Sequence, residues 1–172
     1  AKAGTDEAAS SALSLEVTYN DEEGKPLDIS QLKQGQDVIA SLTVKNLTSM
    51  KVENVALTQM VAAAYEIHNE RMDGVNTVGT RERQQNTPNY NSFGAPVVAA
   101  STLEHLDIRD DRIIRYFGLK AGESIQFSTR LNAAYLGHFY QPSIAVEAMY
   151  DATKNARSKG LWIDVTSAVT NP

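Results

Sequence analysis

From Ser124 to Tyr135 the chain reads SIQFSTRLNAAY, and its residue types change character at every second position. Ile125, Phe127, Thr129, Leu131, Ala133 and Tyr135 fall on one side. Ser124, Gln126, Ser128, Arg130, Asn132 and Ala134 fall on the other. Successive side chains of a strand point to opposite faces, so this run specifies a strand with one buried and one wet face. Two more strand-like runs flank it, Asp111 to Phe117 and Pro142 to Tyr150. The joints are short: Leu119 to Gly122 on one side, with Gly122 free to take positive φ, and Leu136 to His138 on the other. Long strands with short joints read as antiparallel neighbours, so the C-terminal half is expected to form a meander.

The rest of the chain must cover the apolar face of that meander. Leu13 to Tyr19 alternates in the same way, as does Val38 to Val44, where Ile39 breaks the polar side; Val52 to Met60 reads as a third strand. Asn20 to Gly24, Leu32 to Gln36 and Asn46 to Met50 read as turns, with Lys25 to Ile29 returning between the first two. Tyr65 to Asn69 and Leu161 to Val165 are short strands, the latter with Trp162 and Asp164 on one face; Met60 to Ala64 fits a helical turn or a loop. Glu70 to Ala100 is polar, amide-rich and without period, and reads as an irregular insertion that is either a mobile loop or a segment ordered by a partner. Roughly eight turn-separated runs and no long helical period predict an all-β fold, an antiparallel two-sheet β-sandwich of immunoglobulin-like type, with a closed barrel as the alternative.

At 172 residues the chain can bury a core of its own. Residues 12–167 are expected to form a single domain, after a leader or linker at 1–11 and before a tail at 168–172. The small, polar start resembles no secretion signal and reads as that of a piece cut from something longer. No apolar run approaches the roughly 18 residues that span a bilayer. A net charge of -5 argues against nucleic acid as a partner. Cysteine is absent, which removes disulfides, thiolate metal sites and a cysteine nucleophile from this stretch.

Few residues offer chemistry. His105, Asp107 and Arg109 share a strand face, with Asp110 and Asp111 after them; either they hold a hard cation or they form a solvated face whose arginines pair the carboxylates. The second reading is favoured because calcium-loop spacing is missing. His68 and His138 stand apart from that group. Glu147 lies in an apolar run, where burial would raise its pKa and suit it to general acid work, but no second carboxylate is placed to join it and an outward-facing Glu147 is the favoured reading. A hydrolase would have to use Glu147, or Asp107 with Asp111. Trp162, Tyr116, Tyr135 and Tyr140 are candidates for a sugar-stacking platform of a carbohydrate-binding or adhesive module. Asn46-Leu47-Thr48 matches a glycosylation sequon. No nucleophile elbow, phosphate loop or zinc-protease helix motif is present, and no cofactor or metal is expected.

Several segments together resemble one family. They are Leu13 to Val17, Gly24-Lys25-Pro26, Leu32 to Gly35, Leu42-Thr43-Val44 and Glu53 to Leu57 near the start. His105 to Arg112, Glu147-Ala148-Met149-Tyr150-Asp151 and Arg157-Ser158 follow near the end. The set resembles the C-terminal macroglobulin-like domain of the bacterial alpha-2-macroglobulins. The likeness runs from Leu13 to Val165, is most specific in the Arg-Asp-Asp-Arg and Glu-Ala-Met-Tyr-Asp segments, and is weakest over 70–100. Family members often carry Pro after Tyr-Asp, where this chain has Ala152.

The resemblance implies a macroglobulin-like sandwich without catalysis. Its parent would be a large periplasmic or cell-envelope protease trap, often lipid-anchored, that rearranges when a protease cuts its bait region. The implied partners are other domains of the same polypeptide, above all a helical thioester-type domain, and through the whole protein the attacking protease. A methionine of this domain shields the thioester in the family. The matching position is Met149, beside Tyr150, and these two are the interface candidates.

Overall fold

The computed structural model describes residues 7–68 and 103–168. The irregular stretch expected at about 70–100 lies outside the described residues. Thirteen strands are present among the described residues: β1 (Ala9–Ser11), β2 (Leu13–Asn20), β3 (Gln31–Lys33), β4 (Asp37–Asn46), β5 (Val52–Met60), β6 (Tyr65–Ile67), β7 (Leu103–Ile108), β8 (Arg112–Leu119), β9 (Ser124–Ala133), β10 (Gly137–Gln141), β11 (Ala145–Ala148), β12 (Asp151–Arg157) and β13 (Leu161–Thr166). The fold is all-β, as the alternation required. Met60 ends β5, and residues 61–64 after it form a turn closed by Tyr65 N–H on Ala62 O, not a helical segment.

Ten strands form one antiparallel ladder in the order β6-β9-β4-β2-β1-β12-β11-β5-β8-β7. The ladder doubles back on itself. Phe117 of β8 and Phe127 of β9 stand far apart in that order, several steps of roughly 4.8 Å each, yet their ring centroids are 5.3 Å apart. The two halves are therefore the facing layers of a sandwich. The change of layer occurs between β1 and β2, where Ala12 takes a φ of 62° and lets one strand pair β12 before it and β4 after it. Ala9–Ser11, expected in the leader, thus belong to the ladder through their pairing with β12.

One cluster fills the space between layers: Leu13, Leu42, Val44, Ile125, Phe127 and Leu131 from one side meet Val55, Leu57, Phe117, Leu119, Val146 and Ala156 from the other. β9 alternates half-buried and buried along its whole length, and β4 does the same except at exposed Lys45, as the period-two pattern demands. A three-stranded sheet, β10-β13-β3, covers one flank and adds Leu32, Ile163 and Val165 to the same core. Its β13–β3 pair is parallel.

The expected meander is not what forms. β8 pairs with β5 and β7, β9 pairs with β4 and β6, and β11 pairs with β5 and β12. The joint between β8 and β9 is an arch that crosses from one layer to the other. Leu119 and Ile125, on either side of it, are both buried in the shared core. Atoms of the arch bond to the end of β4: Asn46 N–H donates to Glu123 O, and Asn46 Nδ2 donates to Leu119 O and Lys120 O. A short joint serves an arch as well as a hairpin, and the partners outside it decide between them. Likewise Pro142 to Tyr150 is not one strand: His138, expected in a joint, lies in β10, and β11 starts at Ala145. β12 was not anticipated, and Leu32, expected in a turn, lies in β3.

Candidate functional site

Met149 and Tyr150 form the tip of the β11–β12 hairpin. Val146 and Ala148 are buried in the core while Glu147 faces solvent, so β11 is an ordinary half-buried strand up to its last residue. Ala148 pairs with Asp151 across the turn, which leaves Met149 and Tyr150 as the two loop residues. The next pair is Glu147 with Asn155, so Ala152, Thr153 and Lys154 bulge out of β12. Asp151 stitches the bulge: its carboxylate accepts from Thr153 N–H at 3.2 Å and from Thr153 Oγ1, and pairs Lys154 Nζ at 3.1 Å. The Thr153 hydroxyl, with Lys154 after it, holds the Asp151 carboxyl below the usual carboxylate range. This bulge is the shape the loop takes with Ala152 after Tyr-Asp.

The tip is pinned from the other side by β5. Met149 N–H donates to Asn54 O at 2.9 Å, and Asn54 holds a φ of 52° at an irregularity of β5. The side chains stay uncovered: Met149 is 46% and Tyr150 86% exposed. A fixed backbone presenting two large apolar groups to water is suited to contact, and burying one such side chain is worth about 1.5–3 kcal/mol.

The same end of the sandwich carries two residues that sequence reasoning passed over. Leu47 and Met50, in the β4–β5 loop, are 54% and 73% exposed. That segment read as a turn from its Asn, Thr and Ser; two large apolar residues inside a polar turn were the available signal.

The other candidates separate. Arg109 N–H donates to Arg112 O and closes a tight β7–β8 turn; Arg109 Nη2 pairs Asp107 at 3.2 Å and Arg112 Nη2 pairs Asp111 at 2.8 Å. This is the solvated, arginine-paired face. The Arg112 guanidinium holds Asp111 below the usual range. His105 lies against the Tyr116 ring, 5.7 Å between centroids, and no group of three metal-ligating side chains occurs among the described residues. Glu147, expected in an apolar run, is exposed, because the run alternates and its buried members are Val146 and Ala148. Asn46 of the sequon is fully buried.

Of the four aromatics considered as a platform, Trp162 and Tyr140 come together, 5.1 Å between centroids, on the outer face of the flanking sheet; Tyr116 and Tyr135 lie elsewhere. His138 joins them, stacked on Trp162 with centroids 4.5 Å apart and planes within 4° of each other, its Nδ1 bonded to Asp164.

Residues 13–152 match the family model described as the bacterial alpha-2-macroglobulin MG10 domain. The chain belongs to that family. Among curated relatives it is 26% identical over 156 residues to an alpha-2-macroglobulin homolog of Yersinia pestis, covering 90% of this chain and 8% of the relative. It is 25% identical over 139 residues to an alpha-2-macroglobulin of Rickettsia conorii, covering 80% of this chain and 6% of the relative. The MG10 chain thus spans less than a tenth of the length of these curated relatives. It also superposes on part of the native E. coli alpha-2-macroglobulin with a TM-score of 0.72 at 19% identity, covering 92% of this chain and 10% of that one. The Salmonella protein reacted with methylamine gives a TM-score of 0.69 at 21% identity, with 93% and 10% covered. At these identities the superpositions show a common macroglobulin fold. No helix among the described residues is long and apolar enough to cross a membrane.

Proposed function

We propose that this MG10 domain is a non-catalytic docking body of a bacterial alpha-2-macroglobulin, and that Met149 and Tyr150 pack against a thioester-type domain of the same polypeptide and keep water and amines from it. The observation that carries this reading is the pinned tip: Met149 N–H fixed on Asn54 O while Tyr150 and about half of Met149 are open to solvent. A thioether and a phenol ring exclude water over a neighbouring surface without offering a nucleophile strong enough to attack it. Two solved relatives are an E. coli alpha-2-macroglobulin activated by trypsin and one activated by porcine elastase, which supports a protease as the partner of the whole protein. In this reading the domain shifts with the rearrangement that follows cleavage, in a periplasmic or cell-envelope parent.

The test uses the full-length protein that carries this domain. Replacing Met149 and Tyr150 together by serine should raise the incorporation of labelled methylamine, without any protease, by roughly tenfold or more, the equivalent of losing one to two buried apolar contacts. An unchanged rate, or no incorporation even after trypsin treatment, overturns the shield.

A second reading has its own observation. The Trp162–His138–Tyr140 ledge, with Asp164 beside it, is an exposed aromatic surface flanked by hydrogen-bonding groups, the make-up of a carbohydrate-stacking site. Binding to a glycan array that is lost in Trp162→Ala would favour it; no binding by the intact chain removes it.

A further inference from the structure

We infer that the β4–β5 loop, through Leu47 and Met50, is a second half of the docking surface, covered by the same neighbouring domain of the polypeptide that covers Met149 and Tyr150. The inference rests on the docking reading of that tip and extends it to residues with no assigned role. Both loops lie at one end of the sandwich. Leu47 N–H donates to Ala12 O, and Ala12 bridges Asn155 of β12, the strand that leaves the Met149–Tyr150 turn. Met50 precedes Val52, whose strand continues to Asn54, the residue that pins Met149.

The loop is fixed in shape. Asn46 Nδ2 donates to Met50 O at 2.7 Å, Lys120 O at 3.0 Å and Leu119 O at 3.3 Å, and Asn46 Oδ1 accepts from Thr48 N–H at 2.9 Å and Thr48 Oγ1 at 2.7 Å. The amide has used both its donors and both its acceptor sites. A saturated, buried amide at the base holds the loop rigid, so little chain entropy remains to be lost when its apolar side chains are covered. Ion pairs stand close by in sequence, Lys51 with Glu53 after Met50 and Lys154 with Asp151 after Tyr150. An apolar centre with a charged rim is the anatomy of a protein contact rather than of a sugar or lipid site. The occupant is named by length: more than nine-tenths of the Yersinia pestis relative lies outside the matched stretch, so most of the protein available to this surface is its own polypeptide.

The two methionines supply the probe. With the 172-residue chain alone, dilute hydrogen peroxide should convert both Met50 and Met149 to sulfoxide readily, followed peptide by peptide by mass spectrometry. In the full-length protein both should react at least roughly tenfold more slowly. Leu47→Ser in the full-length protein should then speed oxidation of Met149 roughly 5- to 30-fold, the effect of removing one apolar contact from a shared surface. Leu47 is exposed, so the substitution leaves the core intact. Slow oxidation of Met149 with fast oxidation of Met50 overturns this inference and leaves the docking tip standing. Fast oxidation of both overturns the two together. Protection of Met50 in the isolated chain that grows with its concentration overturns it in favour of self-association.

Discussion

Phe117 and Phe127 meet across the sandwich with ring centroids 5.3 Å apart and planes tilted by 54°, although their strands are not neighbours in the sheet. Both are fully buried, and the Arg115 guanidinium carbon lies 5.1 Å from the Phe127 ring centroid. The contact is made by layers packing face to face, so it reports on the sandwich and not on strand pairing. Phe117→Ala and Phe127→Ala should each cost about 3–5 kcal/mol, and the double variant should differ from their sum by about 0.5–1.5 kcal/mol. Urea unfolding of the four proteins measures this; strict additivity would mean that the rings do not touch.

Ile125→Asp or Leu131→Asp should abolish folding. Each residue is buried in β9 at the heart of the core, and an unpaired carboxylate there has no partner and no route to water. Far-UV circular dichroism of a disordered chain is the expected outcome, and a cooperative melt near that of the parent sequence would contradict the placement of β9.

Arg115 is the polar anomaly of this core. It is almost fully buried, donates from Nη1 to Gln59 Oε1 at 3.0 Å and from Nη2 to Thr129 Oγ1 at 2.7 Å, and its Nε has no partner. Burial without a carboxylate pulls its pKa down to about 10. Breaking the network from outside, by Thr129→Val, should destabilise by about 1–3 kcal/mol, because a buried guanidinium donor loses its acceptor. Arg115→Met, which removes the charge and keeps the length, should cost less than Thr129→Val or raise stability. Thermal unfolding ranks the two; the reverse order would mean that the cation itself holds the layers together.

Asp37 should set part of the acid limb of stability. Its carboxylate accepts from Asn132 Nδ2 at 2.8 Å and from Arg130 Nη2 at 3.0 Å, and the Asn132 bond, aided by Arg130, holds its pKa below the ordinary 3.8. A depressed folded pKa gives stability that is present above pH 3.8 and is lost as pH falls through the folded value. Asp37→Asn should therefore flatten the fall in urea midpoint below that pH. An unchanged acid limb would show that the pairing is not populated in solution.

The sequence carried the strands better than their partners. β9 was legible from Ser124 to Ala133, because alternation is a local property that the core merely ratifies; Tyr135, expected on the apolar face, lies past the end of the strand and is exposed. The β8–β9 arch was not, since the groups that hold it belong to Asn46, distant in the chain, and no local pattern announces them. Met149 and Tyr150 were picked out by a motif and not by physics; only the structure places them on a pinned, uncovered turn. Trp162 was legible as sharing a strand face with Asp164, whereas its stacking on His138 depends on a register between β10 and β13 that sequence does not fix.

Asn46 ties these elements together, and its substitution separates two effects. Asn46→Ala removes the donor to Met50 O, Leu119 O and Lys120 O and the acceptor for Thr48, so the arch and the β4–β5 loop both lose their anchor. The expected cost is roughly 2–4 kcal/mol. Asn46→Asp keeps the acceptor for Thr48 but sets a carboxylate oxygen against three carbonyl oxygens, so at neutral pH it should cost more than alanine. Those carbonyls favour the protonated acid, which regains one donor. The introduced carboxyl should then have a folded pKa above its unfolded one, so the aspartate variant should recover stability relative to alanine as pH falls toward about 4. Urea unfolding of both variants at neutral and mildly acid pH decides the matter. A deficit of Asn46→Asp against Asn46→Ala that stays constant with pH would mean that the amide donors do not face those carbonyls, and that the arch is held by packing and the Asn46 N–H bond to Glu123 O.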